Sequence, residues 1–176
     1  MKRWGSPKVS NFRVFIILTL IGDKINTSVA NFGLIPYGHS IIGSPYFDPE
    51  NEFACEPYKN PGYHGHESTS PIIIARRGEC SFVMKVKNIE NASAKLAIIV
   101  DEIDNETMDE IIMVDDGTGA PVKIPSIMIN KKEGEALLSY YENAGEDERK
   151  KISLVTSFDI VRNWNLTFIR LNQTIE

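Results

Sequence analysis

Two unbroken aliphatic runs, "SPIIIARRG" ending at Gly78 and "AKLAIIVDE" ending at Glu102, flank a segment whose apolar residues recur at helical spacing. A continuous β-branched run suits a strand buried on both faces. Between the two runs, Phe82, Val86 and Ile89 fall on one side of a helix, with Lys85, Lys87 and Glu90 outside it, and Ser81 stands where an N-cap is needed. Ile72 to Glu102 therefore reads as strand, helix, strand: Ile72–Ala75, Phe82–Ala92 and Leu96–Val100. Two parallel strands joined this way make a crossover of fixed hand, and the sheet that holds it must be covered by helices. The fold class that follows is α/β.

Further along, a loop from Ile103 to Lys123 precedes a third strand, Ile124–Ile129, and a helix, Glu133–Asn143, in which Ala136, Leu137, Tyr140 and Tyr141 keep helical spacing. The charged run "EDERKK" then leads into "ISLVTSFDI". Upstream, "ANFGLIPYGHSIIGSPYFDPENEFACEPYKNPGYHGHESTS" is dense in Gly, Pro, Asn and aromatic residues, as for short strands joined by turns. With 176 residues and 42% hydrophobic content, the chain has material for one domain with a real core. Its formal net charge of -5, with cations scattered along the chain, argues against nucleic acid as a partner.

The amino-terminal residues support two readings. Lys2, Arg3, Lys8 and Arg13 precede the apolar run Val14–Gly22, which has the length of a signal-peptide core and is too short to span a bilayer; Ser28 and Ala30 offer a cleavage site, so residues 1–30 are expected to be a leader. Alternatively, Val14–Ile21 is a strand of the domain itself. The sequons at Asn26, Asn91, Asn105, Asn165 and Asn172 agree with a secreted context as glycosylation acceptors. In an oxidising compartment Cys55 and Cys80 make one disulfide. In the cytosol they are two unrelated buried thiols.

Candidate chemistry is sparse. His64 and His66 flank a glycine beside Glu67, and only His39 and the two cysteines remain to complete a metal site, so a solvated glycine-rich loop is the better account. Asp101, Asp104, Asp109, Asp115 and Asp116 supply hard oxygen atoms without the spacing of a calcium loop. No metal, cofactor or catalytic residue is expected, since neither G-x-S-x-G nor H-E-x-x-H occurs. What stands out is the corner after the first run. Arg76 and Arg77 emerge at the carboxyl end of a buried strand, where open α/β sheets place ligands, and the helix beginning near Ser81 aims free N–H groups at the same place. A negatively charged or carbonyl-rich ligand suits such a corner; in the alternative reading, one arginine only covers apolar surface with its stem.

Taken in order, "ANFGLIPYG" with "IIGSPYF", the lone Cys55, "IIIARRGECSFVMKVKNIENASAKLAIIVDE" and "IPSIMINKKEGEALL" resemble the protease-associated (PA) domain, and most closely the luminal PA domain of vacuolar sorting receptors. The R-G-x-C-x-F element, Arg77 to Phe82, is the most specific part. The resemblance implies a closed or nearly closed β-sheet core with flanking helices over residues 31–160, a carboxyl-terminal extension over 161–176, and no catalytic activity. It further implies a Cys55–Cys80 disulfide, Arg77 as ligand contact, a binding loop made of Arg77, Gly78, Glu79, Ser81 and Phe82, and Phe82 as anchor of the helix. The expected partner is a peptide segment of a cargo protein in the lumen of the secretory pathway, vacuolar, endosomal or extracellular, with membrane attachment only through a segment absent from these residues. Sorting receptors continue into cysteine-rich modules and a transmembrane helix, so the expectation is a solitary secreted PA-domain protein or a piece of a longer one. The competing expectations are a substrate-guiding domain of a protease or other hydrolase, and a structural secreted glycoprotein.

Overall fold

The computed structural model describes residues 15–18, 24–59, 70–104, 108, 111–149 and 152–158. Seven strands close into a barrel: β1 Phe15–Leu18, β2 Lys24–Val29, β3 Ser40–Tyr46, β4 Ser70–Arg76, β5 Leu96–Val100, β6 Ser126–Ile129 and β7 Leu154–Ser157, in the order β1-β2-β6-β5-β4-β3-β7 with β7 returning to β1. The contiguous set β3-β4-β5-β6 is parallel, and the remaining seams are antiparallel. The helices are α1 Phe82–Asn91, α2 Lys131–Asn143 and the short α3 Glu146–Arg149.

The expected crossover is present, with Ile72 opposite Leu96 and Arg76 opposite Val100 across parallel β4 and β5. Alternation explains why both runs are apolar throughout. Ile72, Ile74, Leu96, Ile98 and Val100 join Ile127, Ile129, Leu154 and the α2 residues Leu137, Leu138 and Tyr141 in one core cluster. Their neighbours Ile73, Ala75, Ala97 and Ile99 turn the other way and pack with Val83, Val86 and Ile89 of α1. Each fully buried isoleucine contributes on the order of 1.5–3 kcal/mol through removal of apolar surface from water. The approach of α2 to β5 depends on Gly134, where an added Cβ would lie 2.2 Å from Val100 Cγ1.

Three expectations are corrected or refined. Lys85, expected outside the helix stripe, is fully buried. The third strand begins at Ser126 rather than Ile124, since Pro125 has no N–H for a ladder. The loop from Ile103 to Lys123 is anchored on the core: Met108 and Met113 are fully buried, and Met113 bridges Ala30. Within the run expected as leader core, Phe15–Leu18 is a strand paired with both β2 and β7, and Ile25, Thr27 and Ser28 of β2 are buried. His64, His66, Glu67, Asn105, Asp109, Asn165, Asn172 and the extension over 161–176 lie outside the described residues.

Candidate functional site

The corner is built where parallel β4 and β5 end side by side. Because Arg76 sits opposite Val100, the residues that follow, Arg77 and Asp101, are brought together, and the Arg77 backbone N–H donates to the Val100 carbonyl at 2.8 Å. The turn that follows is left-handed, with Gly78 at φ 111° and Glu79 at φ 65°, which glycine supplies without steric cost at the first position. Ser81 then caps α1 as expected, accepting from the Met84 N–H at 3.2 Å. The carboxylate of Asp116, on a neighbouring loop, is held below its ordinary value first by a hydrogen bond from Ser81.

Cys55 and Cys80 form a disulfide with Cα atoms 5.8 Å apart. It ties the turn to the Phe53–Cys55 arm, which α1 grips independently. Lys85 Nζ donates to the Phe53 carbonyl at 2.6 Å and lies 3.6 Å from Cys55 Sγ, while Asn88 Nδ2 donates to the Ala54 carbonyl at 2.9 Å. Burial lowers the Lys85 pKa to about 8, against the opposing pull of Glu79. The buried ammonium keeps one strong acceptor and the face of the Phe53 ring, 5.3 Å from Nζ to its centroid, in place of water.

The two arginines have different surroundings. Arg76 is tied down by carboxylates: both Glu135 oxygens accept from its guanidinium, and Glu52 lies 3.0 Å from Nε. Its hydrogen bond to Glu135 is the chief reason the Arg76 pKa is raised and the Glu135 pKa lowered. Arg76 therefore fastens α2 and the Glu52 segment to β4. Arg77 points toward α1 instead, donating to Asp101 Oδ1 at 2.9 Å, with its guanidinium carbon 5.7 Å from the Phe82 ring centroid. The Asp101 side chain is completely buried, whereas that of Arg77 is 39% exposed. One end of the guanidinium is thus anchored while the rest faces a cleft of ≈ 540 Å³.

Of the residues expected to bind, Arg77, Gly78 and Glu79 line this cleft; the Ser81 hydroxyl caps α1 and Phe82 packs against the α1 core cluster. Asp101, Glu102, Glu135 and Lys131 also line it, and sequence reasoning did not assign them a part. Because Asp101 and Glu135 already engage the arginines, the corner is not the bare cationic site that the arginine pair suggests. The signal for Asp101 lies in the parallel register, which sets the residue after each strand beside its counterpart.

The other candidates are accounted for locally. Asp104 accepts from the Lys132 N–H at 2.7 Å at the start of α2, Asp115 accepts from Gly117 and Gly119, and Asp116 from Thr118. Among the described residues no group of three metal-ligating side chains is assembled, and no helix is long and apolar enough to cross a membrane. Asn91 is exposed at the end of α1, and Asn26 lies in β2.

The sequence profile of the PA domain matches residues 42–137. The chain belongs to the PA domain family. The matched span holds β4, α1, β5, β6 and the whole corner. Vacuolar-sorting receptor 1 of Pisum sativum is 27% identical over 121 residues, covering 66% of this chain and 19% of the receptor. Receptor homology region, transmembrane domain- and RING domain-containing protein 2 of Arabidopsis thaliana is 34% identical over 142 residues, covering 81% of this chain and 29% of that protein. The chain therefore spans less than a third of either relative. Among solved structures, the zinc aminopeptidase BSAP from Bacillus subtilis superposes with a TM-score of 0.56 at 20% identity, covering 82% of this chain and 30% of the enzyme. That likeness shows that the PA-domain fold is shared.

Proposed function

We propose that this PA domain is a non-catalytic interaction module of the secretory-pathway lumen, which holds an extended peptide segment of a protein partner in the corner cleft. The observation that carries the reading is the half-exposed Arg77 guanidinium, anchored on buried Asp101 at the edge of a turn fixed by the Cys55–Cys80 disulfide. A guanidinium has five N–H donors, so those not engaged by Asp101 are free for peptide carbonyls or a carboxylate. Because the turn is already ordered, little conformational entropy is lost when a peptide docks. Gly78 and Glu79 lie beside the same cleft, and Ser81 and Phe82 hold the helix behind it. The receptor relatives support a role in sorting proteins within the endomembrane system, with the peptide as cargo. The disulfide and the sequon at exposed Asn91 support passage through an oxidising, glycosylating compartment.

Photo-crosslinking tests the reading. A photoreactive residue replacing Glu79 in the full chain, exposed to an extract of luminal proteins, should capture peptide segments that compete with one another. The same residue replacing exposed Lys87 on α1 should capture none. Equal capture at the two positions would count against the cleft.

A further inference from the structure

Lys85 is a charge buried without a counter-ion. The residue has no exposed surface, and among the described residues no carboxylate pairs with its ammonium. Nζ has instead the Phe53 carbonyl at 2.6 Å, the face of the Phe53 ring, and Cys55 Sγ at 3.6 Å. A disulfide sulfur is neutral and a weak acceptor, so the last contact offsets little of the cost of keeping an ammonium out of water. An apolar side chain of similar length would fill the space without that cost.

The contact changes character when the bond between the cysteines is broken. A Cys55 thiolate would stand within hydrogen-bond reach of the ammonium and supply the anion that Lys85 lacks. Cys80 has different neighbours. It follows Glu79, whose carboxylate disfavours a second negative charge, and the Ser81 hydroxyl already accepts from the first turn of α1. The two sulfurs are therefore unequal, and Cys55 is the better leaving group. Both cysteines are partly exposed, whereas Lys85 approaches from the buried side.

We propose that the Cys55–Cys80 bond is a thiol-sensitive clasp that opens in one direction: a small thiol attacks Cys80 Sγ, and Cys55 leaves as a thiolate held by Lys85. The incoming thiolate forms an S–S bond to Cys80 as the protein disulfide breaks, and the electron pair of that bond stays on Cys55. A second equivalent of the thiol displaces Cys80 from the mixed disulfide and departs joined to the first. Two thiols are thus oxidised to one disulfide, and the protein disulfide is reduced by two electrons and two protons. In the open state the Phe53–Cys55 arm stays on α1 through Lys85 and Asn88, while the turn Gly78–Cys80 loses its tie. The clasp rests on the geometry of ammonium and sulfur, so it stands or falls independently of peptide binding in the corner cleft.

The test equilibrates the full chain in glutathione redox buffers, quenches it with N-ethylmaleimide and maps the cysteines by peptide mass spectrometry. The singly thiolated form is expected to carry glutathione on Cys80 and maleimide on Cys55. Lys85→Met should shift the dithiol–disulfide equilibrium roughly tenfold toward the disulfide, the size of one charge-assisted contact. Asn88→Ala, which removes a neutral hydrogen bond from the same arm, should leave it nearly unchanged. Amide exchange of Glu79 and Cys80 should quicken on reduction, and that of Phe53–Cys55 should not. Glutathione found on Cys55 or shared equally by the two sulfurs overturns the proposal, as does an equilibrium that Lys85→Met leaves in place or that Asn88→Ala moves as far. So does a bond that yields to glutathione only after urea has unfolded the chain. Should Lys85→Met not fold, the position of glutathione in the wild type decides; should the mixed disulfide not accumulate, the shift in equilibrium does.

Discussion

Arg77 and Asp101 form an ion pair at 2.9 Å in which the carboxylate is wholly buried and the guanidinium is not. Asp101 also accepts the Glu102 backbone N–H at 2.7 Å, so its charge is held inside the protein by donors fixed in place. Truncating the arginine would leave that carboxylate short of its main partner. Arg77→Ala should therefore cost about 2–4 kcal/mol of stability, toward the low end of the range for a broken buried pair because the arginine side is partly solvated. Adding Asp101→Asn should recover part of the loss. Urea denaturation of the two variants and the wild type measures both effects, and an Arg77→Ala variant as stable as wild type would show that the pair contributes nothing.

The Cys55–Cys80 bond closes a loop of sequence separation 25. Replacing both cysteines by serine should lower stability by roughly 3 kcal/mol on the chain-entropy estimate. The arm should remain docked, because Lys85 and Asn88 hold it through the Phe53 and Ala54 carbonyls. Denaturation midpoints give the first quantity, and amide exchange of residues 53–55 gives the second. Free thiols at both positions in protein purified without reductant would contradict the bond.

Lys85 makes stability depend on pH in a particular direction. Burial lowers its pKa from 10.5 to about 8 in the folded protein. The unfolded chain therefore holds the extra proton between those values, and stability rises with pH across that window. Below pH about 8 the desolvation cost of the ammonium is fully present. Relative to Lys85→Met, the wild type should gain stability from pH about 8 to about 10.5, as measured by denaturant titration of both proteins at matched pH. Parallel pH profiles for the two would contradict the assignment.

At Gly134 helix propensity and packing give opposite predictions. Alanine in a helix interior is favoured over glycine by up to about 1 kcal/mol. Here its Cβ would lie 2.2 Å from Val100 Cγ1, so α2 must lift from β5. Gly134→Ala should destabilise by about 1–3 kcal/mol, the ordinary cost of overpacking, and thermal unfolding reads the sign directly.

The parts of the fold visible in the amino-acid sequence were those with strong local patterns. The crossover from β4 through α1 to β5 was legible because two apolar runs and a capped amphipathic helix each fill a whole element. Barrel closure was legible only through the family resemblance, since β7 is a four-residue strand whose partners β1 and β3 lie far from it in the chain. Arg77 stood out through its place in R-G-x-C-x-F, but Asp101 read as one of several acids that supply hard oxygen atoms. Only the register of two strands 24 residues apart makes it the partner of Arg77. Lys85 was misplaced for a similar reason: a lysine reads as surface until a carbonyl from another segment, here that of Phe53, meets its ammonium in the interior.

The proposed role of the Arg77 guanidinium is to hold a peptide in the corner cleft. It is tested most directly by calorimetric titration of a peptide recovered by crosslinking at Glu79 against the wild type, Arg77→Lys and Arg76→Lys. Lysine at position 77 keeps a cation for Asp101 but loses the planar fork of donors. A charge-assisted hydrogen bond of about 1.5–3 kcal/mol then predicts a roughly tenfold to hundredfold rise in Kd for Arg77→Lys, with the fold retained. Arg76→Lys should change Kd far less, because Glu52 and Glu135 already occupy that guanidinium. Equal affinities for all three proteins, or an equal loss in the two variants, would contradict the account.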